Sequence, residues 1–306
     1  MSAVLVPCPT LLSRIGNTPL FELKNVASTT GATIYAKAEY MNPSGSVKDR
    51  IARYIIERAE ERGELKSGST ILEVTSGNTG IALSMVGAQK GYRVVIIMPK
   101  TASIERRKMI EAFGAELELI EDVSDIEPAV VETEERARKD PAIFLPRQFS
   151  NPDNPAAHTA TTGREILDEL GADVDAFVMG VGTGGTLMGV GEALRRANRR
   201  VQLVAVEPAE SAVMSGGAPG SHGIQGIADG FIPPIVELQK IDRIVKVPTQ
   251  EAIRMAKRLA REEALFVGIS AGANVVAAQV VAQNLGPGKN VVTILPDRGE
   301  RYLSVW

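Results

Sequence analysis

The residues with the clearest chemical potential in this sequence are a lysine, Lys48, and three loops of small residues that follow it. Lys48 stands in the run Asn42-Pro43-Ser44-Gly45-Ser46-Val47-Lys48-Asp49-Arg50, where a turn leads into a predicted helix. A lysine on such a rigid support, partly desolvated in a crevice so that its pKa falls, can form a Schiff base. For Lys48 alone the alternative is a solvated helix residue, because most lysines are exposed. Lys48 is therefore a candidate covalent tether.

The first loop is Thr75-Ser76-Gly77-Asn78-Thr79-Gly80. Backbone N–H groups at the start of a helix favour anions, so this loop is a candidate carboxylate site, and Asn78 can bond a phenolic or carbonyl oxygen. The alternative is a Thr or Ser helix cap with Gly for the turn geometry.

The second loop, Gly180-Val181-Gly182-Thr183-Gly184-Gly185-Thr186, has the features of a phosphate site. Its glycines let the backbone approach an anion, the following helix favours negative charge, and the two threonines add hydroxyl donors. The same glycines match the G-x-G-x-x-G dinucleotide pattern, and Glu207 ends the next strand where a ribose-binding acid is expected. An NAD-dependent oxidoreductase is therefore a competing class.

The third loop, Gly268-Ile269-Ser270-Ala271-Gly272-Ala273-Asn274, leads into a helix predicted from about Val275. Ser270 can bond the nitrogen of a pyridine ring. A neutral hydroxyl leaves such a ring largely unprotonated, which favours β-elimination and replacement over transamination. A serine helix cap is the alternative.

The elements that must position these loops alternate between short β-branched strands and helices. Strands are predicted at Thr33–Lys37, Thr70–Val74, Arg93–Met98, Glu116–Ile120, Ala176–Gly180, Gln202–Val206 and Asn290–Leu295, and helices at Ile51–Arg62, Ile81–Lys90, Ser103–Phe113, Leu187–Arg196 and Thr249–Glu263. This alternation is typical of parallel βαβ units. Loops that follow parallel strands meet at one edge of a sheet, so we expect the three loops to converge on one crevice.

The predicted fold class is α/β, with two open twisted α/β domains and the active site in the cleft between them. We expect a smaller substrate-binding domain at residues 43–147 and a larger cofactor-binding domain made of residues 1–42 and 148–306. The stretch Glu210–Gly223 is rich in Gly, Ser and Ala and is predicted to be a loop.

Composition narrows the functional class. The 306 residues carry a formal charge of -3, which gives no electrostatic reason to expect nucleic acid or an anionic membrane as partner. One cysteine and two histidines make a metal cluster implausible, so no metal is expected. The N-terminus lacks the features of a signal peptide, and the apolar runs are strand-sized. The expected location is the cytoplasm.

Taken together and in this order, the motifs resemble those of the cysteine synthase (O-acetylserine sulfhydrylase) family of fold-type II pyridoxal phosphate (PLP) enzymes. The resemblance spans nearly the whole chain. Its motifs are Ile15-Gly16-Asn17-Thr18-Pro19-Leu20, Ser46-Val47-Lys48-Asp49-Arg50, Thr75-Ser76-Gly77-Asn78-Thr79-Gly80, Gln148-Phe149-Ser150-Asn151-Pro152, Gly182-Thr183-Gly184-Gly185-Thr186, Gly226-Ile227, Gly268-Ile269-Ser270 and Gly299-Glu300-Arg301-Tyr302-Leu303-Ser304.

The resemblance implies a role for each matching residue. Lys48 would bind PLP and act as general base. The other cofactor-binding residues would be Asn78, Gly182, Thr183, Gly184, Gly185, Thr186 and Ser270, and the substrate-binding residues would be Thr75, Ser76, Gly77, Thr79, Gln148 and Gly226. The implied reaction is a β-replacement that makes L-cysteine from O-acetyl-L-serine and sulfide through an α-aminoacrylate. The resemblance also implies a homodimer and a serine acetyltransferase partner.

The subtype is mixed. Gly45 and the run Asp297-Arg298-Gly299 resemble the B-type isozyme or cystathionine β-synthase, whereas Ile224–Ile227 and Gly230–Pro233 resemble the A-type enzymes. No arginine stands near Gln225, as it does in members that use O-phosphoserine, so O-acetylserine is the expected substrate.

Asp229 departs from the family, because A-type enzymes usually have a small residue there. A carboxylate at this point could act on water or on a second nucleophile, and Asp229 is therefore a candidate catalytic residue. It would promote release of sulfide from cysteine or condensation with another thiol, as in lanthionine or cystathionine formation. The alternative is a solvated turn aspartate before Gly230.

Overall fold

The computed structural model describes residues 10–26, 31–75, 77–121 and 127–304. Its strands are β1 (Leu20–Glu22), β2 (Thr33–Lys37), β3 (Thr70–Val74), β4 (Arg93–Pro99), β5 (Glu116–Ile120), β6 (Ile143–Phe144), β7 (Ala176–Gly180), β8 (Gln202–Pro208), β9 (Arg243–Val247) and β10 (Asn290–Ile294). Its helices are α1 (Lys48–Glu61), α2 (Asn78–Lys90), α3 (Ile104–Ala112), α4 (Glu127–Lys139), α5 (Asp153–Ala160), α6 (Thr162–Leu170), α7 (Gly185–Ala197), α8 (Thr249–Glu262) and α9 (Ile269–Leu285).

The strands form two sheets. The larger sheet has the order β1-β2-β10-β7-β8-β9 and is parallel except for β1, which pairs antiparallel with β2. The smaller sheet has the order β5-β4-β3-β6 and is parallel throughout. The α/β class with two open sheets is confirmed.

Both faces of each sheet are covered by helices, as parallel sheets require. Alternate residues of the central strands enter different cores: Val178 and Val204 pack with α8 and α9, whereas Phe177 and Leu203 pack with α6 and α7. In the smaller sheet, one face packs on α1, α2 and α3 and the other on α4. The central strands β4, β7 and β8 therefore read as nearly continuous apolar runs, and strands are the part of the fold that the sequence predicts best.

Several predicted helices begin later than the observed ones: α1 begins at Lys48 and not at Ile51, and α2 begins at Asn78 and not at Ile81. The largest error is in α9. The helix predicted from about Val275 begins at Ile269, so Ser270 lies in its first turn. The small residues suggested a loop, but Gly272 is buried against α8, where a Cβ would overlap the carbonyl oxygen of Ala252. The glycine permits close contact between two helices.

Candidate active site

A cavity of about 1150 Å³ lies between the two sheets, where the strand-to-helix loops of both meet. The sequence-predicted site residues that line it are Lys48, Thr75, Gly77, Asn78, Thr79, Gln148, Gly182, Thr183, Gly184, Thr186, Gly226, Asp229 and Ser270. Ser76 lies outside the described residues. Gly185 packs behind the loop against Asn154, whose side chain a Cβ would overlap. The convergence expected from the strand order is confirmed for the described residues.

Lys48 is the first residue of α1 and is partly exposed to this cavity. Within the described part of the chain its ammonium has no hydrogen bond and no carboxylate at salt-bridge distance. Desolvation by the cavity walls lowers the pKa of Lys48, while the charges of Asp229 and Asp297 oppose that shift. The lowered pKa favours a neutral amine, which is the form that attacks carbonyl groups and accepts protons.

The start of α1 is fixed by buried groups around Lys48. Asp49 accepts a hydrogen bond from the backbone N–H of Ser44 at 2.6 Å and another from the Ser44 hydroxyl. Burial raises the pKa of Asp49 to about 6. Arg50 donates to Glu39 at 2.6 and 2.7 Å and to Glu165 at 2.6 and 2.8 Å. These contacts hold the backbone that carries Lys48, and the sequence gives no spacing signal for them.

Gln148 holds the first loop in place through two hydrogen bonds. The Thr79 hydroxyl donates to Gln148 Oε1 at 2.6 Å, and Gln148 Nε2 donates to the carbonyl of Val74 at 3.3 Å. The backbone N–H of Gly77 donates to the Thr75 hydroxyl at 3.2 Å. Because α2 begins at Asn78, the loop presents the unpaired N–H groups of a helix start to the cavity, which suits a carboxylate.

The second loop is supported from behind by α5. Asn154 Nδ2 donates to the Thr183 hydroxyl at 3.0 Å, and His158 Nε2 lies 3.2 Å from the Thr186 hydroxyl. His158 Nδ1 lies 2.9 Å from the hydroxyl of Thr162. Burial, with the charges of Arg50 and Lys48, holds the pKa of His158 well below its ordinary value, so the ring is neutral. Asn154 and His158 thus position the loop threonines.

Close packing explains two of the loop glycines. Gly184 has φ +85°, and a Cβ there would overlap Val236. A Cβ at Gly182 would lie 2.5 Å from the carbonyl oxygen of Gly226. The second loop can therefore approach the Gly226 turn only because Gly182 lacks a side chain, and Gly184 leaves room for Val236.

Ser270 and Asp229 differ in their surroundings. Ser270 is buried in the first turn of α9, and its hydroxyl has no hydrogen bond within the described residues, so it is available to a ligand. Asp229 is exposed to the open part of the cleft. Desolvation by the cleft walls nevertheless raises the pKa of Asp229, opposed by the charges of Lys48 and His222. The raised pKa favours a carboxyl that can exchange protons near Lys48.

The family model described as pyridoxal-phosphate dependent enzyme matches residues 11–297. The chain belongs to that family. It is 48% identical over 299 residues to a cysteine synthase of Staphylococcus aureus, a match that covers 97% of this chain and 96% of that protein.

Two solved structures extend the comparison. A cysteine synthase from Entamoeba histolytica has a TM-score of 0.93 and 43% identity, covering 100% of this chain and 92% of that one. A hydrogen sulfide-producing enzyme from Fusobacterium nucleatum has a TM-score of 0.90 and 40% identity, covering 96% and 90%. The chain is thus similar to proteins with two related activities.

The residues present fit PLP, the cofactor of the family. The cavity holds an amine with a lowered pKa, a helix start suited to a phosphate, and the Ser270 hydroxyl, which has no hydrogen bond to another described residue. The dinucleotide alternative has no comparable support, because Glu207 is buried and accepts hydrogen bonds from the Met214 N–H at 2.8 Å and the Ser215 hydroxyl at 2.5 Å. This carboxylate is used inside the protein.

The remaining general expectations concern membranes and metals. No helix in the described ranges is long and apolar enough to cross a membrane. In the same ranges, no group of three or more His, Cys, Asp or Glu side chains is arranged to hold a metal ion.

Proposed function

We propose that the protein is a PLP-dependent cysteine synthase, which makes L-cysteine and acetate from O-acetyl-L-serine and sulfide by β-replacement. The observation that carries this proposal is the position of Lys48. Its amine, with a lowered pKa and no partner among the described residues, lines the same cavity as a carboxylate loop and a phosphate loop. The similarity to cysteine synthases supports the choice of substrate.

The cofactor would be held at four points. Lys48 would bind it covalently, and Ser270 would bond its ring nitrogen. Asn78 would donate to its ring oxygen. The start of α7, with Gly182, Thr183, Gly184, Gly185 and Thr186, would bind its phosphate. When bound, PLP supplies an electron sink for the pair of electrons left at the substrate Cα. With Ser270 at its ring nitrogen, PLP would be a moderate electron sink, because a neutral hydroxyl does not stabilise the protonated pyridine ring.

The substrate would be bound through its carboxylate. Thr75, Ser76, Gly77, Thr79, Gln148 and Gly226 are the proposed binding residues. The bound carboxylate would place the substrate Cα beside Lys48, which would take the Cα proton, because its lowered pKa favours the neutral amine. Loss of the acetate and addition of sulfide then occur at the β-carbon on the open side of the cleft.

Exclusion of water would depend on the smaller lobe. We assign residues 43–147 to a smaller domain and residues 1–42 and 148–306 to a larger one. This division is supported by the two separate sheets. The carboxylate loop belongs to the smaller sheet, so substrate binding would draw that lobe over the cavity and protect the reacting β-carbon from water.

A second activity, release of sulfide from L-cysteine, is favoured by Asp229. Its carboxyl lies in the open cleft and has a raised pKa, so it can protonate a departing hydrosulfide and then accept a proton from water or a second thiol. Acetate needs no such acid, because it leaves as a stable anion. The similarity to a hydrogen sulfide-producing enzyme supports this activity, and a thiol amino acid as second nucleophile would give lanthionine or cystathionine.

The proposed setting follows from the same family expectations. The enzyme would work as a homodimer in the cytoplasm, with small-molecule substrates and serine acetyltransferase as a binding partner. Neither nucleic acid nor membrane is an expected partner. Size-exclusion chromatography with light scattering, with and without serine acetyltransferase, tests both associations.

The proposed function is tested by visible spectroscopy of the purified protein with PLP. The protein should be yellow, its visible band should shift when O-acetylserine is added, and the band should return with sulfide while cysteine forms. The Lys48→Ala variant is the control and should show neither change. A wild-type protein that stays colourless with PLP would exclude the proposal.

A further inference from the structure

Four side chains form a continuous polar chain next to the cavity: Arg301, Asn78, Asp297 and Tyr302, which we call the Asn78 clamp. Asn78 starts α2, which follows β3 of the smaller sheet, whereas the other three residues follow β10 of the larger sheet. Asp297 is 1% exposed, Tyr302 1% and Arg301 3%. Of the four, Asn78 is the residue that lines the cavity.

The clamp fixes the orientation of the Asn78 amide. Asn78 Nδ2 donates to Asp297 Oδ2 at 2.6 Å, and Arg301 Nη1 donates to Asn78 Oδ1. An amide can usually be turned over without a change of shape, so its orientation depends on its partners. Here the partners settle it, because a guanidinium only donates and a carboxylate only accepts.

This orientation determines what Asn78 can offer a ligand. Its carbonyl oxygen is engaged by Arg301 and one of its two N–H groups by Asp297. The remaining N–H is the group that the amide can present to the cavity. Asn78 can therefore serve as a donor to an acceptor oxygen, and it is poorly suited to a ligand that offers a donor at this point.

Asp297 is itself arranged as an acceptor. The Tyr302 hydroxyl donates to the same Oδ2 at 2.5 Å, and Tyr302 in turn receives a hydrogen bond from Arg106 Nη2 at 3.2 Å. The other oxygen, Oδ1, is buried without a hydrogen-bond partner in the described ranges. An under-bonded buried carboxylate is costly, so simple packing does not account for an aspartate here.

We propose that Asp297 and Arg301 are positioning residues, which hold Asn78 so that its free N–H is presented to the ring oxygen of the bound cofactor. The inference rests on the proposed function, since it needs PLP in the cavity. It assigns to Asp297 a role through Asn78, without contact with the reacting atoms. It also explains why the donor-only and acceptor-only groups lie on opposite sides of one amide.

The charge of Asp297 also raises the pKa of Lys48, and a test must separate this effect from the positioning of Asn78. Two substitutions distinguish the effects. Asp297→Asn removes the charge but keeps an oxygen that accepts from Asn78, whereas Asp297→Ala removes both. A positioning role is preserved in the first variant and lost in the second; an effect of charge on Lys48 is lost in both.

The experiment measures the visible absorption band and the dissociation constant for PLP in the wild type, Asn78→Ala, Asp297→Ala, Asp297→Asn and Asn78→Ala with Asp297→Ala. Loss of one hydrogen bond to a charged oxygen should weaken PLP binding about tenfold. Asp297→Ala and Asn78→Ala should each show this loss and shift the band in the same direction. The double variant should match the single ones, and Asp297→Asn should match the wild type within about threefold.

Glu300→Gln is the matched control, because it removes the same charge from an exposed side chain three residues away. It should leave the band and PLP affinity unchanged. Additive losses in the double variant, or equal losses in Asp297→Asn and Asp297→Ala, would overturn the positioning role while PLP binding by the wild type still stands. A wild type that binds no PLP would overturn the proposed function as well.

Discussion

Two groups of charged side chains lie on opposite sides of the start of helix α1. One group is buried and paired, and the other lines the cleft. On one side, Glu39 and Arg50 are fully buried, and Arg50 joins Glu39 to Glu165 through four hydrogen bonds of 2.6 to 2.8 Å. On the other side, Lys48 and Asp229 line the cleft, and neither side chain has a hydrogen bond or ion pair in the described parts of the chain. The two groups are only two residues apart at Lys48 and Arg50.

The difference shows how one helix start serves both structure and chemistry. Buried charges that are fully paired are costly to disturb, and here they hold the backbone in place. At a partly desolvated cleft, the pKa of an ionisable group without a partner shifts so that its neutral form is favoured. Such a group can then exchange protons or bind covalently. Substitutions in the cleft group should therefore change activity, whereas substitutions in the buried group should change the free energy of unfolding.

The largest effect is expected on activity at Lys48. Lys48→Ala should lower cysteine synthesis by about 10⁴-fold, because it removes both the covalent tether and the base. It should leave the midpoint of urea unfolding without PLP close to that of the wild type, since the ammonium has no partner to lose in the described structure. Steady-state assays and urea titration measure the two effects. Unfolding of this variant would contradict the separation of the two groups.

The opposite result is expected at Arg50. Arg50→Ala should reduce the free energy of unfolding by about 3–5 kcal/mol, because it leaves the buried carboxylate of Glu39 without its cation. The matched control is Arg53→Ala, on the same helix, which breaks a half-exposed pair with Glu57 and one hydrogen bond to the Leu12 carbonyl at 3.0 Å, and should cost about 1 kcal/mol. Urea unfolding followed by circular dichroism compares the two. Equal costs would mean that the buried network contributes no more than a surface pair.

Glu73 is a third case, a buried carboxyl group without a paired cation among the described residues. It accepts hydrogen bonds from the backbone N–H groups of Val74 at 3.0 Å and Gln148 at 3.2 Å. Desolvation raises the pKa of Glu73 from 4.5 to about 7. The folded state therefore holds this proton more tightly than the unfolded state. The stability contributed by Glu73 is fully present below pH 4.5 and is lost as the pH rises through about 7.

The measurement for Glu73 is the free energy of unfolding of the wild type and of Glu73→Gln between pH 4.5 and pH 8. The wild type should lose up to about 3 kcal/mol more than the variant over this range. The difference between the two proteins isolates Glu73 from other groups, such as Asp49, that titrate in the same window. Parallel curves would show that Glu73 does not carry a raised pKa.

The smallest of these effects is expected at Asp229 and concerns the choice of reaction. Asp229→Asn should lower sulfide release from L-cysteine by about 10²-fold, because hydrosulfide then leaves without an acid. Cysteine synthesis from O-acetylserine should change by less than about threefold, because acetate needs no proton to leave. The ratio of the two rates is the readout. An unchanged ratio would remove Asp229 from the catalytic residues.

The sequence predicts the parts of this molecule that are encoded locally. β2, β3, β5 and β7 have the predicted bounds. For β3 and β7 the reason is that buried parallel strands are nearly continuous apolar runs between turn residues. Lys48, Thr79, Thr183 and Ser270 meet at one cavity because each follows a strand or opens a helix. The order of strands and helices along the chain is therefore enough to predict that these residues converge.

The supporting residues could not be predicted in this way. Glu39, Arg50 and Glu165 come from three distant segments, and no spacing links them until the chain is folded. Asn154 and His158 support the second loop from a helix that carries no local signal for that contact. The sequence places the start of α9 at about Val275 instead of Ile269, because its small residues, which suit a loop, also suit close helix packing at Gly272.

The central claim is that Lys48 is the reactive amine because its ammonium has no hydrogen bond or ion pair in the described parts of the chain. It is tested most directly by borohydride reduction of the PLP-loaded protein followed by peptide mass spectrometry. We predict one pyridoxyl adduct, on Lys48. Lys37 provides an internal comparison, because it is fully buried but paired with Glu165 at 3.1 Å and Glu169 at 2.7 Å. An adduct on Lys37 or another lysine, or none on Lys48, would contradict the account.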